Sequence, residues 1–180
     1  MASGKPAVRP SVIWFTGLPA SGKSTVSRSV AEVLAGRGLD VEHLDGDSLR
    51  AIFPGTGFLR HEREEHIRRV GFMASKLEQH GVFVIASFVS PYRESRHFVR
   101  SLCRSFVEVH VSTPLAECER RDPKGLYAKA RRGEIPNFTG VSDPYEPPLK
   151  AELVLDTSVV PREEAVRRVL AEVERRMGSA

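Results

Sequence analysis

Short apolar runs alternate along the chain with segments in which apolar residues recur every three or four positions. The runs predict buried β-strands, which in chain order are SVIWFTG, DVEHLD, VFVIASFVS, SFVEVHVS and AELVLDTS. The periodic segments predict amphipathic helices, which are STVSRSVAEVLAGRG, HEREEHIRRVGFMASKLEQHG, PYRESRHFVRSLC, PLAECERRD and PREEAVRRVLAEVERRM. This alternation is typical of an α/β fold, in which a parallel sheet carries helices on both faces. At 180 residues, the chain is predicted to form one such domain, 1–180.

Two segments depart from the alternation. The first ten residues, MASGKPAVRP, contain no apolar run and are predicted to be a flexible N-terminal segment, 1–10. Residues 124–149 are basic at first and then rich in glycine and proline, and we predict that they form a lid. No apolar run is long enough to span a membrane, so we expect a cytoplasmic protein without a membrane partner.

Charge and cysteine content narrow the function further. The formal net charge of +4 suits an anionic small molecule and is too small to argue for nucleic acid as a partner. Cys103 and Cys118 lack the spacing of a metal or redox site, so we expect reduced, partly buried thiols.

The first predicted strand runs into a loop with the pattern G-x-x-x-x-G-K-[ST]. Glycines let backbone N–H groups converge on phosphate oxygens, and the N-terminus of the next helix favours negative charge. We predict that Lys23 reaches the β and γ phosphates of ATP and that the Ser24 hydroxyl holds Mg²⁺. The predicted ATP-binding residues are Gly17, Leu18, Pro19, Ala20, Ser21, Gly22, Lys23, Ser24 and Thr25.

Polar residues also follow the second and third predicted strands. Asp45 and Asp47 lie where ligands bind in open parallel sheets, and a carboxylate there can orient a hydroxyl, accept its proton or hold Mg²⁺ through water. A turn and a helix cap are the alternative here: Asp47 can cap the next helix, and Ser90 after the third strand can do the same. The arginines between Arg50 and Arg69 suit either an anion site or a solvated helix face. The residue types leave each of these choices open.

The segments behind the phosphate loop carry a family resemblance. In order, they read LDGD, HIRRVG, SFVSPYRESR, ERRDPKGLYAKARRGEIPNFTG, DPYEPP and ELVLDTS. Together they make the chain resemble the adenylylsulfate kinase family from about residue 11 to 158, with DPKGLYAKARRGEI before FTG as the most specific part. The resemblance implies a P-loop nucleoside-triphosphate-binding fold and a homodimer. It also implies transfer of the γ-phosphate of MgATP to the 3′-hydroxyl of adenylylsulfate, giving ADP and PAPS, the activated sulfate donor.

The resemblance also implies roles for particular residues. Beside the catalytic Lys23, Asp45 or Asp47 would orient or deprotonate the 3′-hydroxyl. Ser90 is the position that the family labels a phosphoserine intermediate. Because phosphoryl transfer needs little covalent work from the protein, we expect Ser90 to line the pocket without being an obligatory nucleophile. The implied substrate-binding residues are Asp47, Arg50, Phe58, Arg63, His66, Val89, Ser90, Lys124 and Phe138, with Arg63 at the phosphosulfate end and both phenylalanines around the adenine.

Three features depart from the family pattern. The family commonly has Asn at the positions of Ser48 and His66, and the stretch AIFPGTG, 51–57, is one residue shorter here. Two alternatives therefore stay open: a related P-loop kinase for a different nucleotide-like acceptor, and a catalytically silent nucleotide-binding module that serves a partner. An unperturbed histidine titrates near pH 6.5, so we expect His66 to make acceptor affinity weaken as pH rises from about 6 to 8.

Overall fold

The computed structural model describes residues 9–53 and 57–177, and in them the predicted strands form one parallel sheet. The strands are β1 (Val12–Gly17), β2 (Val41–Asp45), β3 (Phe83–Ser87), β4 (Phe106–Val111) and β5 (Leu153–Leu155). Their order is β2-β3-β1-β4-β5, and every neighbouring pair is parallel. All strands therefore end at the same edge of the sheet, with β1 between β3 and β4.

The helices occupy the connections between the strands and the chain after the last strand. They are α1 (Lys23–Gly36), α2 (Gly46–Ile52), α3 (Arg60–Gln79), α4 (Arg93–Leu102), α5 (Leu115–Arg121), α6 (Leu126–Arg131) and α7 (Arg162–Met177). Among the described residues, none of these helices has both the length and the apolar character that crossing a bilayer requires.

The sheet is covered on both faces, which explains why its central strands read as uninterrupted apolar runs. Side chains alternate along β1, so Ile13 and Phe15 join the core formed with α1 and α7. Val12 and Trp14 join the second core, which α3 and α4 complete. These β1 side chains are fully buried on both faces.

The α3–α4 contact depends on one small residue. A Cβ added to Gly71 of α3 would overlap the Val99 side chain of α4, so only glycine lets the helices approach this closely. The two helices in turn fix the position of the cavity wall that precedes α4.

The sequence predictions for the main elements are confirmed. Helix α2, of 7 residues, lies where a capped helix was offered as an alternative, and α6, of 6 residues, was not predicted. Cys103 and Cys118 are free thiols, as expected. Residues 1–8 of the predicted flexible segment and 54–56 of the shortened loop lie outside the described residues.

Candidate active site

The phosphate loop joins β1 to α1 at the carboxyl edge of the sheet. Gly17 and Gly22 have φ angles of 154° and 95°, which side-chain-bearing residues rarely adopt. A Cβ on Gly22 would lie only 2.9 Å from Thr157 Oγ1, and one on Gly17 would overlap the Val111 carbonyl oxygen. The loop therefore packs too closely on β4 and on the residues after β5 for any other residue at these positions.

Two threonine hydroxyls support the same loop from below. Thr157 Oγ1 donates to the Ser21 carbonyl oxygen at 2.7 Å, and Thr113 Oγ1 donates to the same oxygen at 3.0 Å. Because two hydroxyls fix the Ser21 carbonyl oxygen, the conformation of the phosphate loop is set before a ligand binds. Ser24 and Thr25 are exposed in the first turn of α1.

Lys23 is buried inside the loop and binds the loop itself. Its Nζ donates to the carbonyl oxygens of Gly17 at 3.0 Å and Leu18 at 2.7 Å, and to Ser21 Oγ at 3.3 Å. Burial lowers the pKa of Lys23 from 10.5 to about 8, and the negative charge of Asp45 opposes this shift. The ammonium is thus held next to the place where phosphate oxygens would replace the carbonyl oxygens.

The structure gives the two aspartates different positions and corrects the alternative in which Asp47 caps the next helix. Asp45 caps α2, because its Oδ1 accepts from the backbone N–H groups of Asp47 at 3.0 Å and Ser48 at 3.4 Å. Asp47 does not cap the helix; its exposed carboxylate pairs with Lys124 from the other side of the cavity. One carboxylate is therefore fixed beside the phosphate loop, and the other connects to the predicted lid.

The arginine-rich face of α3 is not simply a solvated face, because Arg63 is buried at 7% exposure. Its Nε donates to the Phe58 carbonyl oxygen at 2.8 Å, and its Nη1 donates to Thr139 Oγ1 at 2.5 Å. Its Nη2 donates to the Asn137 carbonyl oxygen. Arg63 thus holds the lid segment in place, and a role at the phosphosulfate end stays a prediction.

Phe58 and Arg50 lie together at the mouth of the cavity. The Arg50 guanidinium lies 4.7 Å from the centre of the half-exposed Phe58 ring, and Arg50 Nη1 donates to the Gly57 carbonyl oxygen at 3.1 Å. Phe138, the other predicted adenine contact, is buried and packs edge-on against Tyr127 at 5.0 Å. The aromatic clasp therefore has one exposed ring and one ring fixed within the lid.

His66 is a buried side chain of the cavity wall and not a surface histidine. It is 2% exposed, its ring lies edge-on to Phe53 and Phe88, and neither ring nitrogen has a hydrogen-bond partner among the described residues. Burial lowers its pKa to about 4, and the charges of Arg50 and Arg69 add to this effect. This lowered pKa speaks against titration of His66 between about pH 6 and 8, and the pH dependence of acceptor affinity stays a prediction.

Ser90 lies in the wall below β3 and does not cap α4, whose first turn is preceded by Tyr92. It is buried, with φ at 39°, a conformation that non-glycine residues rarely adopt. Its hydroxyl accepts from Trp14 Nε1 at 3.1 Å and donates to the Phe88 carbonyl oxygen at 3.4 Å. The neighbouring Val89 carbonyl accepts from the Thr16 hydroxyl at 2.8 Å, which fixes the wall to β1.

The predicted lid, 124–149, consists of two parts with different contacts. The first part contains α6, whose Tyr127 hydroxyl donates to the Pro19 carbonyl oxygen at 3.0 Å. The second part is held by several bonds, such as Tyr92 hydroxyl to Asp143 Oδ2 at 2.8 Å and Glu146 N–H to Pro91 carbonyl at 2.8 Å. Residues 137–147 therefore form a fixed base for the lid.

One cavity of about 690 Å³ brings these residues together. It is large enough for a nucleotide-sized ligand. Except for Gly17 and Leu18, every residue that the sequence predicted for the site lines it: Pro19, Ala20, Ser21, Gly22, Lys23, Ser24, Thr25, Asp45, Asp47, Arg50, Phe58, Arg63, His66, Val89, Ser90, Lys124 and Phe138.

Several lining residues were not assigned from the sequence. Arg121 and Asp122 line the cavity at the end of α5, and Tyr127 and Thr139 line it from the lid. Arg121 Nη1 donates to Thr157 Oγ1 at 2.8 Å, so it also contacts the support of the phosphate loop. Arg121, Asp122 and Thr139 belong to the ERRD and FTG motifs. The family resemblance did not assign a role to any of these three residues.

Comparisons with known proteins agree with this geometry. The profile of the family described as adenylylsulphate kinase matches residues 9–156. The chain is 54% identical over 147 residues to an adenylyl-sulfate kinase of Synechococcus sp. (strain JA-2-3B'a(2-13)), covering 81% of this chain and 84% of that protein. It is 48% identical over 163 residues to an adenylyl-sulfate kinase of Gloeothece citriformis, covering 90% and 93%.

Among solved structures, the Mycobacterium tuberculosis APS kinase CysC in complex with AMPPNP and APS is similar over most of the chain. The TM-score is 0.87 and the identity is 40%, with 93% of this chain and 99% of that chain covered.

Proposed function

The chain belongs to the adenylylsulphate kinase family, and from this we propose that it transfers the γ-phosphate of ATP to the 3′-hydroxyl of adenosine 5′-phosphosulfate. The products are ADP and PAPS. The observation that carries the proposal is the single cavity that joins the phosphate loop with Lys23 to the predicted acceptor residues Asp47, Arg50 and Ser90. A relative solved with AMPPNP and APS together supports the same pair of ligands.

ATP is placed by the loop that precedes α1. The Lys23 ammonium exchanges its bonds to the Gly17 and Leu18 carbonyl oxygens for bonds to phosphate oxygens. The exposed Ser24 hydroxyl is a hard oxygen donor of the kind that Mg²⁺ binds. When bound, Mg²⁺ supplies charge neutralisation of the transferring phosphoryl group.

We assign the orientation of the acceptor hydroxyl to Asp45. Its Oδ1 is fixed by two backbone N–H groups, so the remaining oxygen has a defined direction. Among the carboxylates, Asp45 also has the largest Coulombic effect on Lys23, and Asp47 has a smaller one. Asp47 and Lys124 then serve the acceptor nucleotide at the mouth of the cavity.

Ser90 contributes a wall and no covalent step. Its hydroxyl is already bonded to Trp14 and to the Phe88 carbonyl, and loose phosphoryl transfer needs positioning and charge stabilisation more than a protein nucleophile. Ser90→Ala should therefore retain measurable turnover.

Steady-state kinetics with a panel of acceptors tests the proposal. ATP is held saturating with Mg²⁺, and kcat/KM is compared for adenylylsulfate, AMP, the guanosine analogue of adenylylsulfate and small hydroxyl compounds. Adenylylsulfate should exceed AMP and the small hydroxyl compounds by at least about 100-fold, because these acceptors leave charged groups of the phosphosulfate site without a partner. Its advantage over the guanosine analogue should be smaller, because that analogue keeps the phosphosulfate and stacking tolerates any base. A different preferred acceptor would overturn the assignment.

One observation favours a second candidate, a related kinase with a different nucleotide-like acceptor. His66 presents a neutral imidazole, whose two nitrogens have no partner in the described part of the chain, where the family commonly has Asn. One donor and one acceptor replace the amide's two donors and one acceptor, so the pocket wall differs in its hydrogen bonding. The same acceptor panel separates the two candidates.

The homodimer and the cytoplasmic location stay predictions. Sedimentation equilibrium of the purified chain tests the first, and fractionation of cells that express it tests the second.

A further inference from the structure

Arg96 of α4 is a buried arginine that lies behind the cavity wall and does not line the cavity. It is 2% exposed, and its guanidinium donates in three directions. Nε donates to Glu108 Oε1 at 2.8 Å, Nη1 to the Ser90 carbonyl oxygen at 2.5 Å, and Nη2 to the Glu146 carbonyl oxygen at 2.6 Å. Neither the sequence motifs nor the proposed mechanism assigns a role to this side chain.

The first backbone contact supports a strained residue. Ser90 has φ at 39°, and such conformations persist only where the surroundings hold them. Apart from Arg96, the Ser90 carbonyl has only a long bond of 3.5 Å from the Thr16 hydroxyl among the described residues. The Arg96 bond is therefore the main polar contact that fixes this carbonyl.

The second backbone contact supports the base of the lid. The Glu146 carbonyl accepts from Arg96, while the Glu146 N–H donates to the Pro91 carbonyl. The neighbouring Tyr145 ring lies 5.8 Å from the Arg96 guanidinium, and its hydroxyl is 3.0 Å from Thr16 Oγ1. One guanidinium thus joins the acceptor wall to the lid base.

The third contact, from Arg96 Nε to Glu108, fixes the orientation of the guanidinium. Glu108 on β4 is buried beside Arg96, and its other oxygen accepts from Arg100 Nη2 at 3.3 Å. A planar guanidinium with three separate acceptors is held in one orientation, which a lysine ammonium on a flexible stem does not reproduce.

We propose that Arg96 is a positioning residue that holds the Ser90 wall of the acceptor pocket and the lid base at Glu146 in a fixed relation. The proposal rests on the proposed function, because the acceptor pocket is defined by that function. Arg96 acts through Ser90 and Glu146 and touches no substrate. None of its hydrogen bonds to described residues reaches the phosphate loop, so we expect ADP affinity not to depend on it.

The test compares Arg96→Lys with the matched control Arg100→Lys. Both residues lie on α4 and both bind Glu108, but only Arg96 binds Ser90 and Glu146. Arg96→Lys should raise the KM for adenylylsulfate about tenfold or more while kcat falls less and ADP affinity stays unchanged, since a lost bond to a charged donor costs roughly one such factor. Arg100→Lys should keep the KM of the unmodified protein.

Trp14 provides a second readout that needs no substrate. It is the one tryptophan of the chain, and its indole N–H donates to Ser90 Oγ. Arg96→Lys should shift the Trp14 emission maximum, and Arg100→Lys should not. A shift together with no adenylylsulfate turnover in the unmodified protein would contradict the proposed function and still support the positioning role.

Equal kinetics and equal emission in both lysine variants would overturn the proposal, and so would equal KM increases in both. If Arg96→Lys does not fold, Glu108→Gln decides the matter, because it keeps the side-chain shape and weakens the contact that orients Arg96. It also weakens the contact of Glu108 to Arg100, and the Arg100→Lys control measures the effect of that contact separately. Glu108→Gln should raise the same KM by about threefold and shift the same emission in the same direction. An unchanged KM and emission in that variant would then overturn the proposal.

Discussion

At the scale of the residue, Lys23 is a buried cation whose ammonium donates to backbone carbonyl oxygens of the phosphate loop. In the proposed function it donates to phosphate oxygens instead. Because burial lowers its pKa to about 8, the ammonium loses its proton well below the usual lysine range as pH rises. The charged form binds nucleotide phosphates, so affinity is full below about pH 8 and decreases above it.

We therefore expect the Kd for ADP to rise about tenfold between pH 8 and 9.5, where the phosphates of ADP no longer titrate. Isothermal titration calorimetry at several pH values measures it. Lys23→Met should bind ADP weakly and without this pH dependence, and its kcat/KM should fall by about 100-fold or more with an unchanged circular dichroism spectrum. A constant Kd for the unmodified protein across this range would contradict the account.

His66 should behave in the opposite way, as a residue without charge in the working range. Its lowered pKa of about 4 keeps the imidazole neutral from pH 6 to 8. His66→Asn should change the KM for adenylylsulfate, because hydrogen-bonding groups differ, and leave the pH profile of kcat/KM in that range unchanged.

Two results would speak against this view of His66. A slope between pH 6 and 8 that disappears in His66→Asn would show that the histidine does titrate. Activity toward adenylylsulfate that exists only in His66→Asn would favour the kinase with a different acceptor.

Some of these residues could be assigned from a local sequence motif, and for others the sequence offered only a polar or charged residue type. Lys23 and Ser24 belong to a local motif whose spacing carries its own geometry. The burial of Arg63 and His66 arises from contacts with 137–143 and with Phe53 and Phe88, which are distant along the chain or not periodic. Both residues do lie at helical spacing from the buried Ile67 and Val70, but their polar side chains hid this continuation of the apolar face.

At the scale of the element, Asp45 and Asp47 take different positions at the start of α2, and we propose different roles for them. We expect Asp45→Asn to lower kcat about 100-fold, because it would lose the carboxylate to which we assign the orientation of the hydroxyl. Asparagine is an equally good helix cap, so α2 should remain. Asp47→Asn should mainly raise the KM for adenylylsulfate.

Single-turnover and steady-state rates, measured with both variants side by side, decide between the aspartates. A large loss of kcat in Asp47→Asn with Asp45→Asn near normal would reverse the assignment.

The two parts of the lid should also differ in solution. Residues 124–136 are predicted to gain protection from hydrogen exchange when ADP and adenylylsulfate are both bound, since closing over two anions orders them. The base, 137–147, should be protected from exchange before either ligand is added, because of its bonds to Arg63, Tyr92 and Arg96. Equal exchange in both parts, unchanged by ligands, would contradict this division.

The long elements were predictable because apolar residues repeat along them. Helix α6 was not predicted, because its 6 residues lie within the basic segment that was predicted to be a lid. The lid was predicted from its charge, glycine and proline content. Its fixed base was not, because Asp143, Tyr145 and Glu146 are held by partners on β1, α3 and α4 and by the segment before α4.

At the scale of the whole molecule, the parallel sheet is what assembles the site. The ends of β1, β2 and β3 bring the phosphate loop, Asp45 and Ser90 to one edge, and the lid returns over them after α5. Donor and acceptor nucleotides can therefore meet in one cavity.

Identification of the product tests this claim most directly. The purified protein is incubated with ATP, Mg²⁺ and adenylylsulfate, and the products are analysed by mass spectrometry and ³¹P NMR. We expect ADP and an adenylylsulfate that has gained one phosphate at the 3′ position. We expect no product from the 3′-deoxy analogue, which lacks the accepting hydroxyl. ATP consumption without a phosphorylated adenylylsulfate, or phosphate at any other position, would contradict this claim.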